Sequence, residues 1–205
     1  MSLINITNVI IQPEQAKFTD NYTIDISFEA LEALQNPLIW KVIYVGEATN
    51  DDNDQVLEDI EMNIESAGTM RFTIEAGAPD PSKIPQQEVI GVTAILLTCS
   101  YNNQEFFRVG YYVNVTSVEE EPATLNIDTL VRTVMVNEPR VTNFPIEWDS
   151  PLSAQQIAES GFVAPANTGE VGFGTSVNAV EESRKDLLSK ENLQIAENAF
   201  RQQNM

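Results

Sequence analysis

The chain has 205 residues, 31 of them acidic, 11 basic and none histidine, for a formal net charge of −20. A hydrophobic fraction of 42% suffices for a packed core, which excludes a wholly disordered acidic chain, and no apolar run nears the roughly 20 residues of a membrane span. One cysteine, Cys99, provides no disulfide framework and implies a reducing compartment.

The N-terminal stretch MSLINITNVIIQPEQ lacks a basic region before its apolar residues, so no secretory signal is predicted. Up to Asp149 there are 24 acids and 7 bases, a net of −17; from Ser150 onward 7 acids and 4 bases leave −3. Such a surface disfavours direct nucleic-acid binding, which needs clustered Lys and Arg, and draws in a basic partner. The same asymmetry divides the chain into a folded domain over 1–149, a linker over 150–176 and a tail over 177–205.

The dominant period in the domain is two. A first strand is predicted over Leu3 to Ile11, stopped by Pro13. Tyr22, Ile24, Ile26 and Phe28 alternate with polar residues, the pattern of a half-buried strand. Leu38 to Val45 is apolar on both parities, as suits a central strand or one whose outer face is a binding surface. Asp51, Asp52 and Asp54 lie in a solvated loop. Met70, Phe72, Ile74 and Ala76 alternate again, and Gly77 to Pro85 forms a loop. Val89 to Ser100 is a second strand apolar on both parities. Asn102-Asn103 is a hairpin turn, since Asn tolerates positive φ. Ile127, Leu130, Val131 and Val134 have helical spacing, so a short helix is predicted near 127–135. Val141 to Trp148 returns to strand, with Pro145 at an edge or bulge. About eight strands at this spacing predict an all-β fold. The fold class is an immunoglobulin-like antiparallel β-sandwich with a short helix and a flexible or helical C-terminal tail. Ser150 to Ser176 is rich in Ser, Ala, Gly and Pro and reads as a linker. From Val177 to Gln203 two readings stand open. One is an amphipathic helix striped by Val180, Leu187, Leu188, Ile195, Ala199 and Phe200, docking on the domain or a partner; the other is a mostly disordered tail with nascent helix.

Catalytic chemistry has little to work with. Without histidine there is no Ser-His-Asp triad, no Cys-His pair and no His metal site, and one Cys cannot build a thiolate zinc site. GEVGFG at Gly169 to Gly174 lacks both the following Lys and a preceding strand. NDDNDQ lacks the glycine and the distal glutamate of a calcium loop. The prediction is no enzyme and no cofactor.

Five segments carry a resemblance. GVTAILLTCSYNNQEFFRVGYYVN (Gly91 to Asn114) closely resembles the anti-silencing-function histone chaperone family. So do KFTDNYTIDISFEALEAL (Lys17 to Leu34), WKVIYVGEA (Trp40 to Ala48), DQVLED (Asp54 to Asp59) and EPRVTNFPIEWD (Glu138 to Asp149), in the family's order and spacing. The resemblance implies a monomeric nuclear chaperone that binds one histone H3–H4 dimer and blocks the face through which two dimers make a tetramer. It implies handing histones to other chromatin-assembly chaperones, with no nucleic acid and no membrane as partner. The alternative function is an immunoglobulin-like adaptor that binds another basic or extended peptide.

The resemblance also implies sites. A concave histone H3 face would include Asp54, Glu88, Val92, Ala94, Leu96, Arg108 and Tyr112. The family pattern has valine at position 94, and the loss of two methyl groups corresponds to about 1 kcal/mol of contact. A histone H4 strand would add beside Arg140, Val141, Phe144, Pro145, Ile146 and Trp148. Co-chaperones would dock near Leu38, Glu61 and Phe72, although Asn36-Pro37 stands where the family carries an acid. A strict two-residue turn at Asn102-Asn103 would set Leu97 opposite Arg108; placing Arg108 beside Leu96 requires a one-residue irregularity. The H3 face is expected to be an open apolar trough ringed by carboxylates, and strands sealed beneath other elements would contradict that expectation.

Overall fold

In the computed structural model, residues 2–118, 126–148 and 174–203 are described. The linker reading over 150–176 falls on residues that, up to 173, lie outside the described ones.

Two antiparallel sheets face each other. The smaller is built from β1 (Ile4–Gln12), β3 (Tyr22–Ala30) and β6 (Gly68–Ala76), in the order β1-β3-β6. The larger runs β2-β9-β8-β7-β4-β5, from β2 (Gln15–Lys17), β4 (Leu38–Tyr44), β5 (Gln55–Met62), β7 (Gly91–Tyr101), β8 (Gln104–Ser117) and β9 (Leu130–Val134). β10 (Arg140–Asn143) pairs with β8 beyond the end of β9. Two helices follow, α1 (Gly174–Leu187) and α2 (Lys190–Gln203).

The period-two alternation of β3 buries Tyr22, Ile24, Ile26, Phe28 and Ala30 against the larger sheet. Trp40 anchors the seam, with Phe28 6.0 Å and Phe72 5.3 Å away, centroid to centroid. From the larger sheet, Val42, Tyr44, Ile95, Leu97, Cys99, Val109, Tyr111 and Val113 complete this inter-sheet core.

Two expectations are corrected. The segment near 127–135 is no helix: a single 3₁₀ turn, Ile127–Thr129, leads into β9. β9 buries Leu130, Arg132 and Val134, so its true period is two, hidden because an arginine holds the middle inward position. The strand predicted over Val141 to Trp148 ends at Asn143, after which Phe144 donates its N–H to the Phe106 carbonyl and Pro145 follows. The Gly77 to Pro85 loop contains one 3₁₀ turn, Pro81–Lys83, N-capped by Asp80.

Arg132 is 1% exposed. Its guanidinium lies 3.6 Å over the Tyr22 ring and donates to the carbonyls of Lys17 at 3.0 Å, Asn21 at 2.8 Å and Asp20. One buried cation thus ties the β2–β3 connection to β9. Replacing Arg132 with Met removes these charged hydrogen bonds and leaves the carbonyls unpaired, so urea unfolding should show a loss of about 2–4 kcal/mol. A loss under about 0.5 kcal/mol would contradict the tether.

Burial also pushes four tyrosines up: Tyr22 to about 12 despite the opposing Arg132 charge, Tyr111 to about 12, Tyr44 further, and Tyr112 as well. A phenol whose folded value exceeds its unfolded value of about 10 stabilises the fold below pH 10, and that contribution is lost as pH rises to 12. Tyrosinate absorbance should therefore appear together with loss of near-ultraviolet circular dichroism in that window. Full titration of all tyrosines near pH 10 in a folded chain would contradict it.

Candidate functional site: the outer face of the β7–β8 hairpin

The hairpin turns at Asn102 and Asn103, with φ of 49° and 61°, the two positive values of a tight two-residue turn. The required irregularity then occurs between Cys99 and Ser100: Ser100 pairs with Glu105 and Cys99 with Phe107, leaving Phe106 as an extra residue in β8. Beyond it, Thr98 lies opposite Arg108, Leu96 opposite Gly110 and Ala94 opposite Tyr112. Directly opposed residues share a face, so Arg108, Gly110 and Tyr112 lie with Val92, Ala94 and Leu96. Tyr111 points the other way, into the inter-sheet core, and its hydroxyl reaches the Val9 carbonyl at 3.3 Å.

Asp54 comes to the rim of this face from the start of β5. The single turn Asp51–Asn53 before it is capped by the Asn50 side chain, and Gly46 allows the close approach: a Cβ there would fall 2.1 Å from the Asn53 carbonyl oxygen. The structure therefore brings Asp54, Val92, Ala94, Leu96, Arg108 and Tyr112 together. Glu88 lies apart, exposed on the turn that precedes β7.

The open trough is absent. α1 and α2 roof the face, and Ala94, Leu96 and Tyr112 are buried with Val45, Met135, Leu187, Leu188, Ala196 and Phe200 in a second apolar cluster, separate from the inter-sheet core. Leu187 fills the notch that Gly110 leaves; a Cβ at Gly110 would sit 2.7 Å from its Cδ2. Of the stripe predicted for the tail, Leu187, Leu188 and Phe200 are buried, whereas Ile195 is 51% exposed.

Polar groups close the roof at its edges. Arg184 of α1 grips Asp54 with two hydrogen bonds, Nε to Oδ2 at 3.0 Å and Nη2 to Oδ1 at 2.9 Å. Burial raises the Asp54 pKa above the usual carboxylate value, and the Arg184 guanidinium only partly opposes that rise. Arg108, 6% exposed, is held by Glu105 through Nε to Oε1 at 2.7 Å and Nη2 to Oε2 at 3.1 Å, and its Nη1 donates to the Val180 carbonyl of α1 at 3.1 Å. Its two-pronged partner is thus a carboxylate of its own strand. The Tyr112 hydroxyl donates to the Leu187 carbonyl at 2.8 Å, satisfying one of the free carbonyls at the end of α1. Ser189 caps α2 by accepting the Asn192 N–H at 3.3 Å.

The two further predicted surfaces fare differently. β10 is an edge strand whose Val141 is 54% exposed, and among the described residues β8 is its sole strand partner. Arg140 and Pro145 are exposed and Ile146 is partly buried, while Phe144 is buried. Trp148 stacks on Tyr101 at 5.3 Å and meets Phe106 edge-on at 4.9 Å. A cavity of about 370 Å³ separates β10 from the helices, lined among others by Arg108, Arg140, Thr142, Asp186 and Leu187. At the opposite end, Leu38 is 0% exposed within the inter-sheet core, which removes it from any docking surface; Phe72 is partly buried against Trp40, and Glu61 is exposed. Among the described residues no group of three or more Cys, Asp or Glu side chains is placed to hold a metal ion, and no helix is long and apolar enough to cross a membrane.

Comparison with known proteins places this geometry in a family. The ASF1-like histone chaperone model matches residues 1–149. The chain is 43% identical over 174 residues to histone chaperone ASF1B of Arabidopsis thaliana, covering 78% of this chain and 80% of that protein. It is 46% identical over 153 residues to the probable histone chaperone ASF1A of the same plant, covering 72% and 78%. To histone chaperone ASF1 of Gibberella zeae it is 45% identical over 159 residues, covering 75% of this chain and 57% of that one. With the matched span coinciding with the sandwich and its outer hairpin face, the chain belongs to the ASF1-like histone chaperone family.

Proposed function

We propose that the protein is a nuclear histone chaperone that binds one histone H3–H4 dimer, covers the surface through which two such dimers pair, and passes the dimer to other assembly factors. The carrying observation is that the β7–β8 face already receives a helix: Leu187 seats in the Gly110 notch, in one apolar cluster with Ala94 and Leu96, while Arg184 of that helix reaches Asp54. A histone H3 helix of the same character fits the same face. The domain's net charge of −17 raises encounter rates with cationic histones, and the apolar floor adds the specificity that charge alone lacks. The free edge of β10, with exposed Val141, supports addition of a histone H4 strand. Glu61 and the partly buried Phe72 at the far end are proposed as part of a co-chaperone surface.

Titration of purified H3–H4 dimer into the full chain at physiological salt should reach one chain per dimer. Val92→Glu places an unpaired carboxylate on the half-buried rim of the face and should weaken binding about tenfold or more. Unchanged affinity in that variant would remove the face from the site. No histone binding at any salt would leave the adaptor reading in its place.

A further inference from the structure

The helices that roof the face come from outside the 1–149 span that the family model matches. They cover the proposed histone surface together with its neighbours Val45, Ala48 and Met135. Of the seven residues proposed to face histone H3, six (Asp54, Val92, Ala94, Leu96, Arg108, Tyr112) meet α1 or α2 through an ion pair, a hydrogen bond or the second apolar cluster. α1 also reaches a β10 side chain, with the Thr142 and Ser183 hydroxyls 3.2 Å apart. One charge pair joins the tail to the acidic domain, Arg184 with Asp54, whereas Lys185 and Arg201 pair with Glu181 and Glu197 of their own helices.

The contact is built to be reversible. The tail brings few apolar side chains, chiefly Leu187, Leu188, Ala196 and Phe200, and leaves Ile195 in solvent. The Asp54–Arg184 pair is mostly desolvated, a geometry that adds specificity more than stability. The inter-sheet core shares no residue with the second cluster, so lifting the helices opens no hole in the sandwich.

We infer that α1 and α2 are an internal competitor for the histone H3 face: the chain closes its own site with a helix carrying an arginine and a leucine pair, and a histone dimer must displace it. This rests on the histone reading of the face given above. Closure lowers the apparent affinity by the fraction of molecules that are open. It also blocks weaker, non-histone ligands that cannot supply both a guanidinium for Asp54 and an apolar ridge for Leu96 and Gly110.

The test uses the full chain carrying Arg184→Glu and Leu187→Asp, two positions on the tail and none on the proposed site. Limited thermolysin digestion first reports release: cleavage before Leu193, Ile195 and Phe200, none of them altered or adjacent to a substitution, should accelerate about tenfold or more relative to the parent chain. Histone H3–H4 dimer should then bind the released chain about tenfold more tightly. Accelerated cleavage with unchanged or weaker histone affinity overturns the competitor while leaving the histone reading intact. Unchanged cleavage shows that these contacts do not hold the roof and overturns it as well. Failure of both parent and released chains to bind histones overturns the histone reading itself, and the inference with it.

Discussion

One extra residue in β8 decides what the hairpin offers to solvent. Phe106 has no partner in β7, and the slip it introduces places Arg108, Gly110 and Tyr112 outward while Phe107, Val109 and Tyr111 go inward. Without that slip, the guanidinium of Arg108 would enter the apolar inter-sheet core. Everything else at the site follows. Gly110 becomes a notch, Tyr112 becomes a hydroxyl donor beside it, and Ala94 and Leu96 become the floor. The turn Asp51–Asn53, packed tight against Gly46, adds a carboxylate at the rim.

A face of this composition is costly to leave wet. It is apolar in the middle, with a cation and a carboxylate at its margins, and the chain covers it with its own C-terminal helices. That cover has the chemistry of a ligand: an amphipathic segment with one arginine directed at Asp54 and a carbonyl offered to Arg108. A cover of this kind changes the binding problem from association to exchange. On the proposed reading, an incoming histone helix gains only the difference between its own contacts and those it replaces, so selectivity comes from beating a matched competitor rather than from filling an empty hollow. The acidic surface retains its role in encounter, because it attracts cationic partners whether the roof is open or closed.

Much of the sandwich was legible in the sequence. Strict alternation over Tyr22 to Phe28 and Met70 to Ala76 marked half-buried strands, and the apolar run from Val89 to Ser100, with no polar parity, marked a strand covered on both sides. The second cover was attributed to a partner, whereas the chain itself supplies it. Nothing local to Leu187 or Phe200 states where a helical stripe will dock, because docking is fixed by shape and charge across more than seventy residues of separation. Arg132 misled in another way: a buried cation at an inward position broke the alternation of β9 and left a helical spacing in view. β5 was missed as a strand because it runs along a sheet edge, where Glu58, Asp59 and Glu61 dilute its apolar pattern. Leu38 was assigned to a docking surface on the resemblance alone; its strand register puts it in the core.

The central claim is that histone and tail occupy the β7–β8 face in turn. Hydrogen exchange of the full chain, alone and saturated with H3–H4 dimer, reads both occupants at once. The account predicts that amides of Val180 to Leu188 lose protection on saturation while those of Ala94 to Leu97 and Arg108 to Tyr112 stay protected. Undiminished protection of α1 in the saturated complex would mean that histones bind elsewhere or on top of the roof, and would contradict it.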